Sequence, residues 1–257
     1  MSDQHTQARE AASGGLLDRL MHHATVVEVE QLRPRVRRVR LGGPEIAGLQ
    51  WQPGQQIRVR VDDSPFLSSL VRGKARDMLR TYSVFELDRA AGVLDVCVFA
   101  HGDGTPGGRW ARQAAAGDPV SFMGPEGRFV LRDGAPYHVF VGEETAQMAF
   151  RAMLAALPAE ARVFGVLEVA SGEERLDLPH GDELTWQYRG EEAAASSERL
   201  VDALRNLDLP DEPGAGYVAG EAHTIAAVRH HLVNDRGWDR RAVITKPFWT
   251  PGKRGLD

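Results

Sequence analysis

Apolar and polar residues alternate along the first half of the chain, as they do in strands with one buried face. The alternating segments are residues 25–29, 35–41, 56–61, 94–100 and 119–123. Turn signals separate them, among them Pro53-Gly54. A helical pattern runs from about 105 to 116, and no structure is assigned to residues 62–79. The pattern predicts an antiparallel β-barrel with one inserted helix, ending near Gly124.

The rhythm changes after Tyr137, where short apolar runs alternate with helical segments. The predicted strands are residues 138–141, 163–169 and 216–220, and the predicted helices are 142–157, 197–207 and 221–235. This alternation is typical of a parallel sheet with helical crossovers. We therefore predict two domains, a barrel at 21–130 and an α/β domain at 136–257, after a polar, disordered lead-in at 1–20.

Composition excludes several classes of protein. A chain of 257 residues is long enough for two cores. Its net charge of -5 argues against nucleic-acid binding. No apolar run approaches the ~20 residues of a membrane span, and the N-terminus lacks the pattern of a signal peptide. Cys97 is the one cysteine, which excludes an intramolecular disulfide and a cysteine-bound iron–sulfur cluster. We expect a cytoplasmic monomer without stable membrane association.

The segment Arg80-Thr81-Tyr82-Ser83 is the first candidate ligand site. Side chains alternate in extended chain, so Arg80 and Tyr82 share one face, and Thr81 and Ser83 share the other. An arginine, an aromatic ring and a hydroxyl on one strand end can clamp a phosphate and contact a flavin ring. The tetrapeptide alone is common, and its position before a glycine-rich turn makes it informative.

That turn fits G-x-G-x-x-G at Gly102, Gly104 and Gly107. A Rossmann fingerprint needs a βαβ unit, whereas the preceding segments are strands of a barrel. The start of a helix still favours an anion, and a plain structural turn is the alternative. The candidate residues for the pyrophosphate side are His101, Gly102, Gly107, Gly108, Arg109 and Trp110.

Two strand-to-helix turns of the α/β half have the same arrangement of glycine and glutamate. They are Gly142-Glu143-Glu144-Thr145-Ala146 and Gly220-Glu221-Ala222. Simple helix capping explains either turn alone. Two such turns at the carboxyl edge of one parallel sheet favour a nucleotide cleft, because ligands bind at that edge.

No metal or hydrolase motif is present. The histidine pairs His22-His23 and His230-His231 point apart on a helix, and the sequence has no Gly-x-Ser-x-Gly. The C-terminal segment mixes cations with aromatic residues. Its candidate residues are Arg240, Arg241 and Lys246 for an anionic metal chelate, and Trp249 for covering a flavin face.

Together these motifs resemble the siderophore-interacting protein family, the FAD-dependent ferric-siderophore reductases related to ferredoxin–NADP reductases. The resemblance covers about residues 24–253. It is carried by residues 80–83, 101–111, 142–146, 168–170, 186–189, 219–222 and 246–252. It implies a Greek-key FAD-binding barrel followed by an NAD(P)H-binding domain. The family commonly has Asp-Glu-Thr where this chain has Glu143-Glu144-Thr145.

The resemblance implies roles for the candidate residues. Arg80, Tyr82 and Ser83 would contact FAD together with Thr81, and residues 101–110 would face its pyrophosphate. The two Gly-Glu turns would face NADH or NADPH, and Lys246 with Arg240 or Arg241 would bind the siderophore. Glu168 favours a free ribose 2′-hydroxyl, whereas Arg175 or Arg189 favours a 2′-phosphate.

The predicted function is the reduction of Fe(III) in a ferric siderophore by NAD(P)H through FAD. We expect no catalytic side chain and no protein-bound metal, since the cofactor carries the redox chemistry. Two alternatives remain. One is a flavin reductase that serves a protein acceptor, and the other is a siderophore or nucleotide binder that has no enzymatic activity.

Overall fold

A computed structural model describes residues 21–61, 79–100 and 106–253. It divides into two compact units. The described part of the first unit contains residues 21–30, 37–51 and most of 56–126. The second unit contains residues 31–36, 52–55 and the chain from 127 onward. No helix among the described residues is both long and apolar enough to cross a membrane.

The first unit is built on a closed antiparallel barrel. Its strands are β1 (His22–Arg33), β2 (Val36–Gly42), β3 (Gln56–Arg60), β4 (Leu79–Asp88), β5 (Val93–Phe99) and β6 (Pro119–Glu126). Helix α1 (Pro106–Gln113) lies between β5 and β6 in the chain. The strands close in the order β1-β2-β5-β4-β3-β6. Alternate residues such as Val39, Leu41, Ile57 and Val59 fill the core. The predicted barrel with one inserted helix is confirmed.

The second unit contains a five-stranded parallel sheet. Its strands are β7 (His138–Glu143), β8 (Val163–Val169), β9 (Thr185–Tyr188), β10 (Ala215–Glu221) and β11 (Val243–Trp249). Its helices are α2 (Gln147–Ala155), α3 (Glu198–Arg205) and α4 (Ala222–His230), which continues into a π-helical turn (His231–Asp235). The strand order is β11-β10-β7-β8-β9. The predicted parallel α/β fold is confirmed.

Both faces of the central strands are buried, which explains why β7 reads as a continuous apolar run. Val139 and Val141 pack on one face with residues of α3 and α4. Phe140 packs on the other face with Phe150 and Met153 of α2. The sheet therefore holds the carboxyl ends of β7 and β10 side by side, and this is the edge where nucleotides bind in parallel sheets.

Two strands differ from the sequence predictions. β9 was not predicted, because it has only four residues at an edge of the sheet. β11 was not among the predicted strands either, and it contains both Lys246 and Trp249. β11 contains Pro247, which this strand tolerates because it lies at an edge of the sheet, where a missing N–H group need not break a pairing.

Candidate cofactor and nucleotide sites

The barrel brings Arg80 and Tyr82 to one face of β4. In the antiparallel pairing with β3, Tyr82 lies opposite Ile57 and Arg80 lies opposite Val59. Ile57 and Val59 are fully buried, so this face of β4 turns toward the barrel core. Thr81 and Ser83 lie on the other face, because side chains alternate along a strand.

Helix α1 packs against this face through its glycine at 107. A Cβ atom at position 107 would overlap the hydroxyl oxygen of Tyr82 and lie 3.4 Å from Cγ of Arg80. The ring of Trp110, one turn along the helix, stacks on Tyr82 with centroids 5.6 Å apart and planes inclined by 27°. Gly107 is therefore needed for the close approach of α1 to β4.

The hydroxyl group of Tyr82 is buried, and it has no hydrogen-bond partner within the described parts of the chain. Burial raises the pKa of Tyr82, and the positive charge of Arg80 opposes this shift only in part. A neutral phenol is therefore left with an unused donor beside the start of a helix. Leaving a buried polar group unpaired costs about 1–3 kcal/mol, which a ligand accepting this hydrogen bond would recover.

The barrel site fits a flavin dinucleotide. Arg80, Tyr82, Gly107 and Trp110 form one cluster that offers a cation, two aromatic rings and an unused hydroxyl. Gly108 is buried in the same helix and Arg109 is exposed on it. His101 and Gly102 lie outside the described residues. The role of each of these residues toward FAD stays a prediction.

The carboxyl edge of the second unit carries two buried glutamates that cap helical turns. The Glu143 carboxylate accepts hydrogen bonds from Thr145, from its backbone N–H at 3.0 Å and from its hydroxyl. Glu221 accepts from the backbone N–H groups of His223 and Thr224, each at 2.9 Å. Their exposed fractions are 2% and 0%. The capping interpretation therefore holds for both turns.

The two caps have opposite electrostatic character. Burial raises the pKa of Glu143 to about 7, and the negative charge of Glu144 adds to the shift. Burial also acts on Glu221, but the hydrogen bonds from His223, Ser196 and Thr224 outweigh it and lower its pKa. Near neutral pH, Glu143 is thus poised between its protonated and ionised forms, whereas Glu221 is ionised.

The glycines of both turns are required by packing. Gly220 has φ of 128°, and a Cβ there would lie 2.6 Å from Oε1 of Glu143. A Cβ at Gly142 would overlap the carbonyl oxygen of Ala219 and the side chain of Ala146. Ala146 is fully buried, and Ala222 is the half-buried first residue of α4. The described geometry accounts for these glycines without any ligand.

Glu144 and two candidates for nucleotide selectivity are engaged inside the protein. Both carboxylate oxygens of Glu144 accept hydrogen bonds from the guanidinium of Arg189. Glu168 is fully buried and accepts a hydrogen bond from Oγ of Ser197 at 2.6 Å. Arg189 is thus paired within the protein, whereas Oε1 of Glu168 has no hydrogen-bond partner among the described residues. The suggested roles of Arg189 at a 2′-phosphate and of Glu168 at a ribose hydroxyl stay predictions.

Arg175 is differently placed. Its guanidinium carbon lies 4.3 Å from the ring centroid of Trp186, and the group donates a hydrogen bond to the Tyr188 hydroxyl at 3.1 Å. These three side chains line a cavity of about 830 Å³ in the second unit. They were not predicted to form a group, although Trp186 and Tyr188 are two positions apart on β9 and so point to the same side.

Of the three cations predicted to bind the substrate, Lys246 lies on β11, and Arg240 and Arg241 lie in the turn before it. Lys246 shares one face of β11 with Ile244 and Phe248, because every second side chain of a strand points the same way. Ile244 and Phe248 pack against the cluster around Phe140 and Tyr217. Arg240 lines a groove beside α4 with Thr245 and Pro247, on the opposite face of β11. Arg241 is exposed and precedes the amino end of β11. Lys246 and Arg240 therefore lie on opposite sides of β11, and the expectation that Lys246 forms a basic patch with Arg240 or Arg241 nearby stays a prediction.

One contact joins two predicted residues in a way that the sequence did not indicate. The indole Nε1 of Trp249 donates a hydrogen bond to Oε1 of Glu143 at 3.0 Å. The two residues are 106 positions apart, and neither carries a local signal of this pairing. The predicted contact of Trp249 with a flavin stays a prediction.

Both halves of the chain match models of one family. The siderophore-interacting FAD-binding domain matches residues 25–129, and the siderophore-interacting protein domain matches residues 135–252. A crystal structure of a siderophore utilization protein from T. fusca is 31% identical, with a TM-score of 0.77. The match covers 92% of this chain and 95% of that one.

Two relatives with named activities are also similar. The ferric vibriobactin reductase of Vibrio cholerae is 30% identical over 68% of this chain, which spans only 65% of that relative's length. The NADPH-dependent ferric-chelate reductase of Escherichia coli is 23% identical over 88% of this chain and 91% of its own. The predicted resemblance and the FAD cofactor are confirmed. The chain belongs to the siderophore-interacting protein family and carries that family's FAD-binding domain.

Proposed function

We propose that this protein, a flavin oxidoreductase, uses NAD(P)H to reduce Fe(III) in ferric siderophores and so releases iron in the cytoplasm. The observation that carries the proposal is the Tyr82 hydroxyl. It is buried and unpaired among the described residues, beside the first turn of α1 and inside the matched FAD-binding domain. The names of the Vibrio cholerae and Escherichia coli relatives support the ferric substrate.

The residues of the barrel would bind and orient the cofactor. Arg80 supplies a cation for the pyrophosphate, and the first turn of α1 supplies backbone N–H groups. Tyr82 and Trp110 supply aromatic surface, and Ser83 supplies a hydroxyl on the other face of β4. Bound there, FAD would supply the chemistry that links a two-electron hydride donor, NAD(P)H, to the one-electron reduction of two Fe(III) to Fe(II). We assign no acid–base side chain to this chemistry.

The carboxyl edge of the parallel sheet would bind the electron donor, and we propose NADPH. Arg189 is held by Glu144, whereas Arg175 lies at a cavity beside two aromatic side chains. A guanidinium suits a 2′-phosphate because it offers a fork of donors. The activity named for the Escherichia coli relative supports the same donor. Cytoplasmic reduction follows, because the reduced nicotinamide pool is kept there.

Reduction releases the iron because hard oxygen chelators bind Fe(II) far more weakly than Fe(III). We propose that the chelate is anionic, so that a cation at its binding site would favour its approach. Lys246 is the described cation that we assign to this role. It lies on the opposite face of β11 from Arg240.

A combined test examines the purified protein for flavin absorbance and then for oxidation of NADPH. We expect a yellow protein that oxidises NADPH when a ferric chelate is added, with Fe(II) trapped by a ferrous-specific dye. A colourless protein that still binds ferric chelates would favour the binder without enzymatic activity. Flavin reduction followed by electron transfer only to a protein acceptor would favour the reductase of a redox partner.

A further inference from the structure

Residues at the carboxyl ends of three neighbouring strands of the parallel sheet contact one another. Glu143 ends β7, Gly220 lies near the end of β10, and Trp249 ends β11. The order β11-β10-β7 places β10 between the other two. The hydrogen bond from Trp249 to Glu143 therefore crosses a whole strand, a span of about 9.5 Å between the outer backbones.

The crossing depends on the glycine beneath it. A Cβ at residue 220 would lie 2.6 Å from Oε1 of Glu143 and 3.0 Å from its Cγ. The Glu143 side chain thus lies directly over the backbone of β10, in space that any other residue at 220 would fill. Gly220 also has φ of 128°, which L side chains rarely adopt.

The same carboxylate is held from its own turn. Oε2 of Glu143 accepts the backbone N–H of Thr145 at 3.0 Å, and Oε1 accepts the Thr145 hydroxyl. Glu143 is 2% exposed, so its position is fixed by packing and by these bonds. An indole has one N–H donor. The bond to Glu143 uses that donor and so fixes the direction of the Trp249 ring.

The ring lies where a nucleotide would bind. Trp249 pairs with Glu221, the cap of α4, after a register shift that follows Gly220. Both residues are at the carboxyl edge of the sheet, where parallel sheets bind nucleotides. Trp249 is half-buried, so part of the indole remains accessible to a planar partner such as nicotinamide or adenine.

We propose that Glu143 is a positioning residue that holds the indole of Trp249 as one wall of the nicotinamide-nucleotide site. This inference rests on the proposed function, since it names a residue of the site for the electron donor. Glu143 acts only through the indole and through Gly220, over which its side chain passes. It does not itself touch the reacting atoms.

The test is a double-mutant cycle on the flavin-loaded protein, with unreactive NADP⁺ and NAD⁺ as probes. Glu143→Ala, Trp249→Phe, the double variant and the exposed control Glu160→Ala are compared by the dissociation constant from calorimetry. Trp249→Phe removes the indole N–H donor but keeps an aromatic ring, and it leaves Glu143 in place to cap the Thr145 N–H group. It therefore tests the bond even if Glu143→Ala folds poorly.

We expect each single variant to bind the nucleotide about tenfold more weakly. The double variant should be no weaker than the worse of the two, because both changes break one interaction. The fluorescence of Trp249, taken as the difference between each protein and its Trp249→Phe counterpart, should be quenched more by acrylamide after Glu143→Ala. Flavin content and the Glu160→Ala affinity should not change.

Unchanged nucleotide affinity in both single variants would overturn the inference. So would a loss of affinity in the double variant that equals the product of the two single losses. In either case the wild type still binds the nucleotide, so the proposed function stands. If the flavin-loaded wild type binds neither NADP⁺ nor NAD⁺, the proposed function itself fails.

Discussion

The carboxylate of Glu144 and the guanidinium of Arg189 form a bidentate ion pair whose residues are only 3% and 7% exposed. Glu144 follows β7 and Arg189 follows β9, so the pair spans the intervening strand β8. Arg35 adds a second cation 3.6 Å from Glu144, within the same unit. The pair ties the carboxyl ends of β7 and β9 together across β8, at the edge where we place the nucleotide.

We expect Arg189→Gln to lower the free energy of unfolding by about 3–5 kcal/mol, because it leaves the Glu144 carboxylate buried with much less compensation. Arg199→Gln is the matched control. Its pair with Glu192 is exposed, and we expect little or no change there. Chemical denaturation followed by far-ultraviolet circular dichroism measures both. Equal midpoints for the two variants would show that the buried pair contributes no more than a surface pair.

The sequence predicted local patterns well, but it did not predict which distant residues become partners. Strand β8 was predicted with its observed limits, because a short apolar run between turn signals is a local property. Glu144 was expected to face a ligand. Its partner is 45 residues away and becomes a neighbour only when β9 adds to the sheet. Lys246 and Arg240 are close in the chain, but Arg240 lies in the turn before β11 and lines the groove of Thr245 and Pro247, on the face opposite Lys246.

Gly107→Ala should weaken FAD binding at least tenfold, although alanine normally stabilises a helix. The added methyl group overlaps the Tyr82 hydroxyl, so either the ring or the first turn of α1 must move. Gly48→Ala is the control, because a Cβ there meets nothing within 4 Å. Retained flavin is measured after extensive dialysis. If Gly107→Ala stays as yellow as the control, the close approach of α1 is not part of the flavin site.

Arg175→Gln should reduce the preference for NADPH over NADH about tenfold. The substitution removes the cation and its stacking on Trp186 while keeping a polar side chain. The effect should appear in kcat/KM for NADPH, with the value for NADH nearly constant. Arg199→Gln serves again as an exposed control. A parallel loss with both donors would assign Arg175 to the fold or to a part of the site that both nucleotides share.

Glu143 should make the protein less stable as the pH rises from about 4.5 to about 7. Its carboxyl has a pKa of about 7 in the folded protein and an ordinary value of 4.5 when unfolded. In this window the folded state holds a proton that the unfolded state has lost, so the stabilisation present below pH 4.5 disappears by pH 7. The contribution is on the order of 3 kcal/mol at most.

Glu143→Gln cannot titrate and should lack this slope. The difference in unfolding free energy between variant and wild type is measured from pH 4.5 to 8, which cancels the other titrating groups. The unfolding free energy of the variant, relative to that of the wild type, should rise up to about pH 7 and then stay constant. A constant difference across the range would mean that the Glu143 carboxyl titrates near its ordinary pKa.

Lys246→Glu should slow electron transfer to ferric chelates while leaving hydride transfer from NADPH unchanged. A cation attracts the anionic chelate, and reversing its sign repels it, an effect that added salt should reduce. Arg240→Glu makes the same charge change on the opposite face of β11 and is the matched control. Anaerobic stopped flow first follows the loss of flavin absorbance with NADPH and then its return with a ferric chelate.

Slowing of the second step only in Lys246→Glu supports the assignment. Slowing of both steps would place Lys246 at the nucleotide site or in the fold, and an effect of Arg240→Glu alone would move the substrate to the α4 side of the strand.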